Sequence, residues 1–254
     1  PVSSPLIASV FRALPPHYHP QAELSAGLQA LWAQHRSFNP ARVKALHDSV
    51  QVRGRHLAIP MADYPPLDTF AKRNDVWIRE ALKLGEQAVR GAVEKAGLKL
   101  SDIDVLCFTS ITGLATPSID ARLMNKLGLR PDVKRVPIFG LGCVAGVAGT
   151  ARMSDLLRGF PKQTAVLLSV ELCSLTVQRD DIAVGSIIAA GLFGDGAAAM
   201  VIRGGDVAGE GPRVVASESV FYPATEDVMG WDFLDSGFKV VLSARVPDMV
   251  LENV

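Results

Sequence analysis

Three cysteines, Cys107, Cys143 and Cys173, are the residues of this chain best suited to covalent chemistry. An odd number on apolar segments reads as free thiols in a reducing cytoplasm. They lack the paired short spacing of a zinc site, so no metal is expected. Cys143 stands apart from the other two. It sits in RVPIFGLGCVAGVAGTARMSDLLRG (135–159), which reads as a buried strand, a glycine-rich turn and a helix of small residues. A thiol at a helix N-terminus feels the positive end of the macrodipole and unpaired N–H groups, and both favour thiolate. Gly140 and Gly142 permit a tight turn that lifts the side chain above the sheet edge. Such a thiolate suits acyl transfer, because a thioester is both formed and broken easily.

Two other readings compete for the same turn. Residues 140–145, GLGCVA, match the dinucleotide fingerprint G-x-G-x-x-A between a strand and a helix. Glu171, at the end of the next strand, is then the candidate ribose-binding acid. Against this, the surrounding pattern starts one strand too early, and a cysteine has no role inside a pyrophosphate loop. The third reading is packing, since a buried cysteine behaves as a small hydrophobe; this is the expectation for Cys107. A G-x-C-x-G elbow is excluded, because Leu141 and Ala145 stand where glycines are needed. All five histidines lie at or before His56. His17 and His19 flank Tyr18 beside prolines and read as a solvated loop rather than a metal pair.

The elements that must position Cys143 follow from periodicity. Pro5 to Val10 is a short strand. Helical spacing of Leu24, Leu28, Leu31 and Trp32 predicts a helix over 21–36, and Asn39-Pro40 opens a second helix to about His47. Residues 1–60 read as an arm with helices packed on a larger body. Asn74 caps a long helix over 75–96, with Trp77, Ala81, Leu84, Ala88 and Ala92 on one stripe. Residues 103–109, 133–139 and 164–170 read as buried parallel strands, joined by helices over 116–128 and after Cys143. Residues 179–190 are an excursion, and LFGDG (192–196) turns into a strand over 197–202. Residues 214–221 and 238–242 are further strand candidates.

Composition bounds the rest. The 254 residues are 48% hydrophobic and 20% charged, with 26 basic and 26 acidic side chains. A large core is expected, and charge gives no case for nucleic acid or an anionic membrane. No apolar run reaches a membrane span, and no secretory signature opens the chain, so a cytoplasmic protein is expected.

With these residues in view, the chain resembles the type III polyketide synthases, the chalcone-synthase-like branch of the thiolase superfamily. LGLRPDVKRV (127–136) followed by GCVAG (142–146) is similar to the family's nucleophile segment. GLFGDGAAA (191–199) is similar to its phenylalanine-bearing loop. GWDFLDSGFKVVL (230–242) resembles bacterial members of the alkylpyrone, alkylresorcinol and germicidin type. The resemblance implies an α/β thiolase-like layered fold, residues 61–254 being the N-terminal half of a duplicated αβαβα architecture. It implies that Cys143 takes an acyl group from a CoA thioester and extends it by decarboxylative Claisen condensation with malonyl-CoA, followed by cyclisation to a pyrone or resorcinol. Acyl-CoA and malonyl-CoA are substrates, so no cofactor is implied, and a homodimer is. Phe193 matches an aromatic gate, while Thr112, Cys173 and Thr176 match cavity-lining positions with Trp231 close to them. Thr116 matches a position that reaches the partner subunit's cavity. Arg42 and Lys44 sit where basic residues meet CoA phosphates in the family, although a solvated helix face is the plainer reading. The family completes its site with a histidine and an asparagine from the second half. With no histidine after His56, the resemblance implies an N-terminal portion lacking the C-terminal half. The alternatives are a β-ketoacyl synthase III type condensing enzyme, a truncated non-catalytic paralogue and, from the glycine pattern, a dinucleotide-binding oxidoreductase.

Overall fold

The computed structural model describes residues 4–253. In chain order the strands and helices are β1 (Leu6–Ala13), β2 (His17–Pro20), α1 (Gln21–Trp32), α2 (Pro40–Ser49), β3 (Gly54–Leu57), α3 (Phe70–Lys95), β4 (Val105–Thr109) and α4 (Ile119–Leu127). There follow β5 (Lys134–Ile138), α5 (Ala145–Gly159), β6 (Thr164–Leu172), α6 (Val184–Leu192), β7 (Asp195–Arg203), β8 (Met229–Leu234), β9 (Gly237–Leu242) and α7 (Val246–Asn253). Two compact units divide the described chain: one from 4–14, 76–171 and 196–220, the other from 15–75, 172–195 and 221–253.

The first unit is built on a five-stranded sheet in the order β1-β7-β6-β4-β5. β4 pairs parallel with both β5 and β6, and β1 pairs antiparallel with β7. The expected α/β arrangement is therefore present as a mixed sheet. Successive residues of β6 point to opposite faces. Leu167 packs with Met153 and Leu157 of α5. Leu168 lies on the other face, against α3: a Cβ added at Gly85 would stand 3.1 Å from both Leu168 and Leu123. The small stripe of α3 allows this approach, and Trp77, Ala81, Leu84, Ala88 and Ala92 are all buried. Gly149 plays the same part on α5, where an added Cβ would sit 2.8 Å from Leu167.

The second unit clusters Trp32, Val43, Ile187 and Ala190 from α1, α2 and α6. A buried histidine ties these helices together. His47 Nδ1 takes the hydroxyl of Ser25 at 2.7 Å, and its Nε2–H donates to Ile187 O at 3.0 Å. Burial lowers its pKa, so it is held neutral.

Six expectations are corrected. α3 starts at Phe70, not Asp75; the Thr69 hydroxyl accepts Lys72 N–H at 3.3 Å and does the capping assigned to Asn74. α4 opens from Ser118 rather than at Thr116-Pro117, and closes at Gly128 (φ 64°) as expected. The excursion over 179–190 contains a helix, α6, at whose start Asp181 accepts Ala183 N–H and the Ser186 hydroxyl. β5 is the edge strand and half-exposed rather than buried; Pro137, which cannot donate, is tolerated at a sheet edge. Residues 214–221 form no strand, while β8, unforeseen, pairs with β9. The His17–His19 stretch is likewise a strand, paired with β3. No helix among the described residues is long and apolar enough to cross a membrane, and no group of three or more His, Cys, Asp or Glu side chains there could hold a metal.

Leu157 is 0% exposed and central to the α5 face of the sheet. Leu157→Ala should therefore cost about 2–5 kcal/mol, read as a lower urea midpoint at unchanged slope. An unchanged midpoint would mean that α5 contributes little to the core.

Candidate active site

Three parallel strands end side by side in the first unit, and the chemistry-bearing residues hang from those ends. β5 stops at Ile138. Gly140 (φ 89°) and Gly142 (φ 59°) then turn the chain through left-handed conformations that a side chain would strain. Gly142–Val144 forms a 3₁₀ turn, and α5 begins at Ala145. Cys143 therefore lies in the turn that feeds the helix N-terminus, and it is exposed. A Cβ at Gly142 would meet Ile111 Cδ1 at 3.8 Å, so this turn lies beside the loop that follows β4. Cys107, in contrast, is wholly buried in β4, and burial pushes its thiol up to about 12. Packing is its role.

In the β4 loop, Thr112 is buried. Its Oγ1 accepts Trp77 Nε1–H at 3.2 Å and donates to Glu171 at 2.8 Å. Glu171, at the end of β6, also accepts Ile111 N–H at 3.1 Å and the Ser110 hydroxyl at 3.2 Å. The carboxylate considered as a ribose acid is thus committed to the β4 loop. Its burial outweighs these donors and raises the carboxyl to about 7. Thr116 is exposed between β4 and α4.

The second unit gathers the other four predicted site residues around one cavity. Cys173, Thr176, Phe193 and Trp231 all line it, and its open volume is about 30 Å³. Cys173 begins the 3₁₀ turn Cys173–Thr176, in which the Thr176 hydroxyl donates to Cys173 O at 2.8 Å. Phe193 ends α6. Its N–H donates to Ala189 O at 2.9 Å, and its carbonyl accepts Arg55 Nη1–H at 2.7 Å. Trp231, on β8, packs edge-on against Phe238 with centroids 6.0 Å apart.

Sequence reasoning missed what fixes the Cys173 turn and the Phe193 segment. Asp195, two residues after Phe193, looked like part of an ordinary turn. It is 5% exposed and accepts Ala58 N–H at 2.6 Å, Ser174 N–H at 2.8 Å and the Ser174 hydroxyl. Tyr64 and Ser174 bond through their hydroxyls at 2.5 Å. Burial raises Asp195 to about 6, and the nearby Arg55 pulls the other way. The aspartate pins the Phe193 segment to the Cys173 turn. Its only sequence signal was an acid in an apolar loop, and Arg55 carried none. Arg42 and Lys44 are exposed on α2; Lys44 pairs with Asp48 at 2.6 Å, as on a solvated helix face.

Glu171 makes a pH prediction with a definite sign. Its carboxyl has a higher pKa folded (about 7) than unfolded (4.5), so the folded state holds the extra proton between these values. The stability this contributes is full below about 4.5 and is lost as pH rises through 7. Asp195 acts in the same direction, so the comparison must be with a variant. Glu171→Gln should flatten the fall in urea midpoint between pH 5 and pH 8 (about the range in which carboxyls and histidines set stability). Parallel pH profiles for the two proteins would refute the assignment.

Comparison with known proteins places this geometry. The family model for the N-terminal domain of chalcone and stilbene synthases matches residues 4–206. A 1,3,6,8-tetrahydroxynaphthalene synthase of Streptomyces peucetius subsp. caesius is 49% identical over 247 residues, covering 96% of this chain and 65% of that protein. A putative chalcone synthase of Bacillus subtilis is 35% identical over 246 residues, 92% of this chain and 67% of that one. The crystal structure of a tetrahydroxynaphthalene synthase from Streptomyces coelicolor A3(2), titled a bacterial type III polyketide synthase, superposes with a TM-score of 0.89 at 33% identity, covering 96% of this chain and 69% of that one. This chain thus spans about two thirds of the length of these relatives. The fold is the thiolase-like one, and the chain belongs to the chalcone and stilbene synthase family, whose N-terminal domain it carries.

Proposed function

We propose that the chain carries the acyl-loading nucleophile of a type III polyketide synthase, and that this nucleophile is Cys143. The supporting observation is the position of Cys143 within the family match: exposed, behind two left-handed glycines, at the entry to α5. The thiolate attacks the carbonyl carbon of an acyl-CoA. A new C–S bond forms, the bond to CoA sulfur breaks, and CoA leaves as its thiol with the proton given up by Cys143. Malonyl-CoA then loses CO₂, and the electron pair of the broken C–C bond becomes an enolate. The enolate carbon attacks the Cys143 thioester, a C–C bond forms, and the Cys143 thiolate departs. Helix N-terminal N–H groups of α5 favour charge on that sulfur in both steps.

In this reading Phe193 gates the path to the acyl chain, and Cys173, Thr176, Thr112 and Trp231 shape its cavity. The working enzyme is a homodimer, and Thr116 faces the partner subunit's cavity. No cofactor takes part, since CoA thioesters are the substrates. A pyrone or resorcinol is the proposed product. The name of the 49% identical relative favours a second product reading, a hydroxylated naphthalene built by further condensations.

Incubation with a long-chain acyl-CoA and malonyl-CoA, followed by digestion and mass spectrometry, tests the proposal. Acylation of Cys143 is expected, and Cys143→Ala should lower the adduct by at least about 10³-fold, as loss of a covalent nucleophile does. An adduct elsewhere, or a requirement for malonyl groups on acyl carrier protein, would overturn it. Released products distinguish the ring types. Acylation without any condensed product would identify a subunit that loads but does not extend.

A further inference from the structure

The second unit holds another cavity, of about 350 Å³, that the candidate site does not use. Its apolar wall comes from Leu24, Leu28 and Leu31 of α1, with Leu57, Met61 and Leu67. Three guanidiniums also line it, those of Arg55, Arg73 and Arg179. Arg55 has the Asp195 charge beside it. For the other two the carboxylate charge in reach is that of Asp68. Arg73 is 8% exposed and donates to Val177 O at 3.1 Å and to Ser236 O. Arg179 donates to Tyr64 O at 3.2 Å and to Pro65 O. Among the described residues neither forms an ion pair with a carboxylate. The Asp68 charge reaches both Arg73 and Arg179, but its ion pair, at 2.8 Å, is with Lys72. Two like charges are therefore held together with carbonyls as their hydrogen-bond partners and the Lys72-paired Asp68 in reach, one of them deep in the fold. Burial and the neighbouring Arg179 both work against the charge on Arg73.

A buried charge without a direct ion-pair partner is costly, and an anion in the cavity would reduce that cost. Each guanidinium has five N–H donors in a planar fork suited to a carboxylate, and the protein bonds above occupy a minority of them. The rest of the wall is aliphatic. The volume lies at the low end of the roughly 300–1,000 Å³ typical of small-molecule sites. Two guanidiniums can share the two oxygens of one carboxylate, whereas the several negative charges of a CoA would exceed them. We propose that this cavity binds an amphipathic monocarboxylic acid, its chain among the leucines of α1 and its carboxylate against Arg73 and Arg179. The site is separate from the chemistry proposed for Cys143. It is a neighbour of the candidate acyl cavity, since Arg55, Ser174, Val177 and Ala190 line both.

Titration calorimetry of the chain with decanoate tests this. One saturable site is expected, weakened about tenfold or more in Arg179→Gln and in Leu28→Trp, which fills the cavity. Decanol, with the same chain and no charge, should bind at least about tenfold more weakly. Cys143→Ala should bind decanoate as the parent protein does. Arg73→Gln should behave like Arg179→Gln; if near-UV circular dichroism shows it unfolded, the other two variants decide. The proposal is overturned if decanoate shows no saturable binding up to about 1 mM, if decanol binds equally well, or if Leu28→Trp binds undiminished. Loss of binding in Cys143→Ala alone would also overturn it, because it would place the acid at the nucleophile.

Discussion

Parallel pairing of β4 with β5 on one side and β6 on the other is the constraint from which the first unit's chemistry follows. Parallel strands run the same way, so their carboxyl ends open on one edge, where α/β sheets carry their ligands. The three ends here carry the 110–112 loop, the Cys143 turn and Glu171. Each is fixed by a different device. Left-handed glycines shape the Cys143 turn, and Glu171 collects an N–H and two hydroxyls from the β4 loop. The pairing holds only if both faces of the sheet are covered closely. That is why Gly85 and Gly149 matter: each lets a helix approach a leucine of β6 to a distance a Cβ would forbid or crowd.

In the second unit a buried carboxylate does the corresponding work. Asp195 lies where a charged group is disfavoured, yet two backbone N–H groups and a hydroxyl converge on it. The donors come from two distant places, Ala58 and Ser174, so satisfying one acid fixes three segments together, its own included. Arg55 reinforces the arrangement by taking the Phe193 carbonyl directly. Arg55 and Ser174, which line the cavity, thereby help to hold the Phe193 segment and the Cys173 turn in place around it.

This difference explains what could be read from the sequence. The order of β4, α4, β5, α5 and β6 was legible, because helical stripes and apolar strand runs are local patterns. So was the Cys143 turn, since glycines beside a cysteine ahead of a helix signal their own geometry. The convergence of Cys173, Thr176, Phe193 and Trp231 was legible only through resemblance, because nothing local links positions 173 and 231. Arg55 and Ser174 were not legible at all: their importance lies in partners over a hundred or about twenty residues distant. The helix α6 was hidden by glycines and small residues, whose low helix propensity is overridden by packing of Ile187 and Ala190 against α1 and α2. Pro137 carried a signal for an edge strand that the apolar pattern around it obscured.

The three cysteines show why residue type alone could not settle the chemistry. Cys107 is one member of a wholly buried strand, and burial raises its thiol far from the thiolate form. It can pack but not attack. Cys173 opens a short turn against a cavity that Arg55 and Asp181 also line. Cys143 alone combines exposure with a backbone whose N–H groups are not yet committed to a helix. The strand-to-helix turn therefore sets Cys143 apart from the other two, with left-handed glycines on its N-terminal side and a helix on the other holding its sulfur at the surface.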